Sequence, residues 1–249
     1  MKRAGTDGLV AVAALTAMAA LGALALSTAA CDRLPGRPDP GSAEVRPDRV
    51  QSFSLLYAQN CAGCHGVKGD GGGAAAIGLA NPIYLAIADD EVLRRVTAHG
   101  LPGTLMPAFA RTDGGTLTEA QVEILVSGIR AWAPRAALEG ETPPPYAGGP
   151  GNPERGLAAS AVFCASCHGS EGGGGAKAGS IVDGSFLGLV SDQGLRTTII
   201  AGRPEIGHPD WRHAAPGRVM TAQEISDVVA WLSARRPATP GQPYPGRTP

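Results

Sequence analysis

The stretch "SLLYAQNCAGCHGVKGDGGG", residues 54–73, returns a hundred residues later as "AASAVFCASCHGSEGGGG", residues 158–175. Both carry the same five-residue core, Cys61-Ala-Gly-Cys64-His65 and Cys164-Ala-Ser-Cys167-His168, and both run on into glycines. A second pair extends the match, "YLAIADDEVLRRVTAHG" ending at Gly100 and "FLGLVSDQGLRTTIIAG" ending at Gly202. His65 and His168 lie 103 residues apart, whereas Tyr84 and Phe186, Asp90 and Asp192, and Arg94 and Arg196 lie 102 apart, so one residue is lost or gained between. The chain therefore reads as a tandem duplication, and whatever one half does the other is built to do as well.

The repeated core decides the chemistry. C-x-x-C-H is the spacing of covalent c-type haem attachment, with two thiols for thioethers and the adjacent histidine as proximal iron ligand. A thioredoxin-like site would need a βαβ setting, and a zinc site would have to gather ligands a hundred residues apart. Two haem c are therefore expected, held by Cys61, Cys64 and His65 in the first half and by Cys164, Cys167 and His168 in the second. Composition agrees: only 4% of the 249 residues are aromatic, beside 36 Gly and 21 Pro. Domains of about 100 residues need large side chains or something equivalent to fill the middle, and a macrocycle is itself core. A net charge of −1 excludes the clustered basic surface that nucleic acid demands.

Each half reads as short helices joined by glycine-rich loops, and the fold class is all-α. Val50, Phe53, Leu56 and Tyr57 make one apolar face leading into Cys61. Asn152 is a candidate N-cap with Pro153 at the first helical position of the second half. Further helices are expected from about Asp89 to His99 and Ser191 to Ala201, each stopped by a glycine. Thr118 with Gln121 and Thr221 with Glu224 are capping boxes, followed by the apolar sets Val122, Leu125, Ile129, Trp132 and Ile225, Val228, Val229, Leu232.

The sixth iron ligands are sought about forty residues after each motif. Met106, in "GLPGTLMPAF" from Gly100, is the expected partner of His65, a thioether with histidine being the usual electron-transfer pair. Laying "GRPEIGHPDWRH" from Gly202 over that loop puts His208 at Met106, Pro209 at Pro107 and Trp211 at Phe109. His208 is the expected ligand of the second iron, with Met220, then His213, water or an open position, as alternatives. Met220 precedes Thr221 as Leu117 precedes Thr118, which also suits it to a hydrophobic staple on the last helix. His99, at a helix end, is expected at the surface.

The N-terminus reads as an export segment: a basic start, then no charge from Gly8 to Ala30, 23 residues or about 35 Å of helix. Residues 1–30 are expected to be a signal or membrane anchor. Residues 31–47 are a Pro- and Gly-rich tether, 136–151 a linker and 236–249 a disordered tail, around domains at 48–135 and 152–235. The ending "STAAC" resembles a bacterial lipobox that would lipidate Cys31, although Thr28 stands where Leu is usual. An uncleaved anchor or a cleaved signal are the alternatives, and all three put the mature chain on the periplasmic side of the membrane.

Taken together, Cys61, Cys64, His65 and Met106 in "MPAF", Cys164, Cys167 and His168, and the terminal helices "LTEAQVEILVSGIRAW" and "MTAQEISDVVAWL" resemble class I c-type cytochromes in a tandem dihaem arrangement. The resemblance covers about residues 48–133 and 152–235, and His208 departs from the family's usual methionine. It implies small helical domains wrapped around haem that pass single electrons without bond chemistry. The expected role is a tethered carrier, or the cytochrome subunit of a membrane oxidoreductase complex, on the outer face of the cytoplasmic membrane. Its partners would be redox proteins, and the alternative is a dihaem peroxidase-like enzyme with an open second iron.

Overall fold

A computed structural model describes residues 45–71, 77–133 and 142–238. The apolar run Gly8–Ala30, Cys31, nearly all of the tether and the tail from residue 239 lie outside the described residues. Among those described there is no strand, only isolated bridges, so the expectation of an all-α fold holds. No helix among them is long and apolar enough to cross a membrane.

The first half contains α1 (Phe53–Asn60), α2 (Ala62–His65), α3 (Pro82–Ile87), α4 (Asp90–His99) and α5 (Glu119–Arg130). The second repeats the set as α6 (Pro153–Phe163), α7 (Ala165–His168), α8 (Gly184–Leu189), α9 (Asp192–Ala201) and α10 (Ala222–Ser233). The described residues of both halves, from Pro47 onward, belong to one compact unit with a shared cluster of buried side chains. In each, the first helix packs on the last, α1 on α5 and α6 on α10, and the fourth helix packs beside the last.

The last helices show why. Val122, Leu125, Val126 and Ile129 fall at i, i+3, i+4 and i+7, as do Ile225, Val228, Val229 and Leu232, and all eight are buried. Each fully buried aliphatic side chain is worth about 1.5–3 kcal/mol, so four outweigh the roughly 1 kcal/mol of a cap. The caps set the boundaries instead. Thr118 accepts from Gln121 N while the Gln121 side chain accepts from Thr118 N, and Thr221 and Glu224 repeat the box. Asn152 caps α6 through Arg155 N, with Pro153 at the first position.

Two local expectations change, and two contacts at the domain edges add to the reading. Val50 lies outside α1, because Ser52 is the N-cap and the helix begins at Phe53. Trp132 sits two residues beyond α5 and packs edge-on against Phe53 and Tyr57 rather than along the helix face. Arg236, the first residue of the expected tail, is tied back to the second domain: its guanidinium donates to the carbonyls of Leu187 and Val190 and pairs with Asp192. In the second part of the linker, the carbonyls of Pro145 and Tyr146 are taken up by Arg196, which anchors that stretch to α9.

The halves meet through α3 and α9. Asn81 accepts from Ile83 N and Tyr84 N as the N-cap of α3, and its amide donates 3.0 Å to the Ala201 carbonyl at the end of α9. This buried bond fixes the register between the haem-attachment region of one half and the ligand loop of the other.

Candidate haem-binding sites

Each motif occupies a one-turn helix, α2 or α7, that follows the first helix directly, so Cys61 and Cys164 are at once the end of one helix and the cap of the next. After each histidine the chain must reverse. Gly66 and Gly169 take positive φ (82° and 75°), and a Cβ on either would run into the carbonyl oxygen of Gly71 or Gly174. The loops close identically, Gly71 N donating to His65 O at 2.9 Å and Gly174 N to His168 O at 2.7 Å.

Both proximal histidines are oriented from behind. His65 Nδ1 lies 2.8 Å from the Ile77 carbonyl and His168 Nδ1 lies 2.7 Å from that of Gly179. A carbonyl acceptor puts the proton on Nδ1 and leaves Nε2 to bind a metal. Burial lowers the pKa of His65, against the pull of Ile77, and favours the neutral ligating ring. These two carbonyls also locate the missing residue of the repeat. Gly71 and Gly174 are still 103 apart but Ile77 and Gly179 are 102 apart, so the first half holds its extra residue between Gly71 and Ile77.

The thiols are unpaired, and burial pushes Cys61 and Cys164 up to about 11. A redox-active C-x-x-C needs the opposite shift. Among the described residues no three His, Cys, Asp or Glu side chains gather into a metal-holding group.

The ligand loops correspond residue for residue. Gly100 (φ 68°) packs so closely on Met106–Ala108 that a Cβ would lie 2.6 Å from Pro107 C, and Gly202 (φ 66°) does the same 2.8 Å from His208 O and Pro209 C. Leu101 N donates to Met106 O at 3.0 Å, and Arg203 N to His208 O at 2.9 Å. Leu117 N donates to Phe109 O as Met220 N donates to Trp211 O, so Met220 occupies the structural place of Leu117, buried in the core. His213 is exposed beside Asp210, and His99 is exposed beside Asp113.

The His208 ring faces that of His168, centre to centre 6.2 Å, at 49°. Its Nδ1 is buried without a hydrogen-bond partner. Two imidazoles bound through nitrogen to opposite sides of one metal ion, each at about 2.0 Å, have centres roughly 6 Å apart. The residues present therefore fit a haem iron between His168 and His208. Burial is the main cause of a lowered His208 pKa, with His168 adding to it, so the neutral ring is favoured there too.

Family comparison agrees with this geometry. Residues 48–127 match the family described as cytochrome c oxidase, cbb3-type, subunit III, and residues 153–235 match the family described as cytochrome c. The chain carries two tandem cytochrome c domains. Such domains are electron carriers, and the two attachment motifs imply two haem c in this dihaem cytochrome. Among solved structures it is similar to a chain of the reducing HAO-like protein complex of Kuenenia stuttgartiensis, with 19% identity and a TM-score of 0.45 over 78% of this chain and 100% of that one. No curated protein matches.

The sequence did not single out the carbonyls of Ile77 and Gly179. Backbone acceptors have no side-chain signature, and only the repeat, read outward from each histidine, could have found them.

Proposed function

We propose that this cytochrome relays single electrons on the outer face of the cytoplasmic membrane, its first iron held by His65 and Met106 and its second by His168 and His208. The opposed rings of His168 and His208 carry the reading, because a second iron closed on both faces leaves substrate no open position. Haem iron, when bound, takes up and releases one electron. The chain's residues do the rest. Ile77 and Gly179 hold the proximal rings in one tautomer, the glycine-braced loops carry Met106 and His208, and the His208 ring faces that of His168. A methionine ligand raises the potential. Electrons therefore favour residence on haem one.

The apolar run Gly8–Ala30 and Cys31 support a membrane tether, lipidated or helical. The family description of the first domain, a terminal-oxidase subunit, favours a fixed subunit over a free shuttle.

A redox titration followed by electron paramagnetic resonance tests the ligand set. It is expected to show two low-spin haems, one His/Met and one bis-histidine, with the second converted to His/Met and raised in potential in His208→Met. A bis-histidine signal that survives the substitution would remove His208 from the iron. Carbon monoxide binding by the reduced wild-type protein would open the second site and favour a peroxidase-like enzyme. Co-purification of an oxidase in mild detergent separates the fixed subunit from the shuttle.

A further inference from the structure

The two ligand loops match in backbone but not in charge. Where the first domain has Leu101 and Gly103, the second has Arg203 and Glu205. Arg203 and His208 close a small loop by bonding each other's backbone in both directions, at 2.9 and 3.0 Å, around the single turn Pro204–Ile206. Within it Arg203 Nε donates 2.7 Å to Glu205 Oε1, and both side chains are mostly buried, 12% and 19% exposed. Glu205 does not stay in its own domain. It lies flat on Gly71 of the first, where a methyl group would come within 2.8 Å of its Oε1 and 3.1 Å of its Cδ. Gly71 is the residue whose N–H holds the His65 carbonyl. The matching glycine of the second domain, Gly174, meets its own chain at Ser180 instead. The Asn81 to Ala201 bond pins this junction in place.

Resting on the assignment of His208 to haem two, we propose that the Arg203–Glu205 pair is a charge element shared by both haem sites. Its carboxylate lies against Gly71 in the loop that follows His65 and its guanidinium stems from the loop that carries His208, and it narrows the potential difference that their unlike ligands create. A carboxylate beside a haem opposes the added electron and lowers its potential, and a guanidinium does the reverse. At mostly buried positions neither effect is fully screened by solvent. The placement suits the sign: Met106 raises haem one and Glu205 draws it down, while Arg203, in the loop that carries His208, lifts haem two. The step between haems is thereby kept shallow enough to run in both directions.

The test is a spectroelectrochemical titration of the full-length, haem-loaded protein, with each haem assigned by its paramagnetic resonance signal. Glu205→Gln is expected to raise haem one, changing its reduction equilibrium constant about threefold to tenfold, or roughly 30–60 mV for one electron. Arg203→Gln is expected to lower haem two by a similar factor, so that both substitutions widen the gap. Glu205→Asp, which keeps the charge but withdraws it from Gly71, should move haem one part of the way. An unchanged haem one in Glu205→Gln, or a shift confined to haem two, overturns the proposal. So does the loss of either haem from that variant, which would make the pair a structural brace. If the wild-type protein lacks a bis-histidine signal, the ligand assignment has failed instead, and that is seen before any variant is compared.

Discussion

Where the first and last helices cross, the two domains solve one packing problem with large and small residues exchanged. In the first domain Phe53 of α1 fills the space over Gly128 of α5, and a Cβ on Gly128 would run into the Phe53 ring. In the second, the residues at the same two places are Gly156 of α6 and Trp231 of α10, each 103 positions on. Here the glycine lies beneath the Trp231 side chain and against the Asp227 carbonyl. The crossing tolerates one bulky side chain and needs one glycine, and duplicated halves have settled on opposite partners. What the fold conserves is the summed volume at a contact, in keeping with interiors packed to crystal density.

A second contrast follows the same logic. Arg94 reaches Glu123 and Glu91 at the surface, while Arg196 at the matching place is buried, bonding Ser226 and the linker carbonyls of Pro145 and Tyr146. A buried guanidinium without acceptors would be costly, so the linker stretch is tied down by the charge beneath it.

The largest expected effect is that of Gly156→Phe. Its Cβ would meet backbone, the Asp227 carbonyl, which cannot swing aside. The second domain should fail to close, and haem content by pyridine haemochrome should fall from two per chain to one. Trp231→Ala leaves the domain intact but hollow, and a loss of about 3–5 kcal/mol is expected in denaturant unfolding. A fall under 1 kcal/mol would mean that the crossing is not filled by Trp231. Inverting the first domain sharpens the comparison further. Gly128→Trp alone should destabilise, and combining it with Phe53→Ala should recover part of the loss, with a coupling of about 0.5–3 kcal/mol. Strict additivity would show that the two sites do not share one space.

The smallest effect concerns Asp227, whose counterpart in the first domain is the apolar Ile124. Arg155 is the main cause of its carboxyl's descent to about 2, against the cost of burial and with help from Asn152 N–H and Gln223. An unfolded carboxyl titrates near 3.8. The stabilisation from Asp227 is therefore fully present above about pH 4 and is lost as pH falls through about 2. Asp227→Ala should cost roughly 1.5–3 kcal/mol at neutral pH. Its thermal midpoint should then fall less steeply than wild type between pH 4 and pH 2. Parallel curves would take Asp227 out of the acid response.

Much of this was legible in residues alone. The attachment motifs, the capping boxes, the Asn152-Pro153 start and the alignment of His208 with Met106 depend on neighbours within a few positions, and the duplication reads each of them twice. The helices α3 and α8 were not legible, although Asn81-Pro82 carries the same start signal as Asn152-Pro153. Six residues are too few for a helical period to emerge, and their stability comes from docking, as with α3 on α9. The tie of Arg236 to the second domain was not legible for a similar reason. In the first domain the guanidinium that clamps the end of the short helix and the start of the next is that of Arg130, donating to Leu85 and Ala88 and pairing with Asp90. In the second, Arg236 performs this from a position that does not align with Arg130, so the repeat gave no warning.

By itself the sequence determined the class of fold, the number of haems and the residues that attach them, because a covalent motif and a helical period are local facts. It also put His208 first as the second sixth ligand, ahead of Met220, His213, water or an open position. Only the tertiary structure turned His208 toward His168, buried Met220 at the place of Leu117, exchanged bulk across the helix crossings and laid Glu205 on Gly71. Those are contacts between residues about forty to more than a hundred positions apart, and they exist only once volume, charge and backbone acceptors have been reconciled in three dimensions.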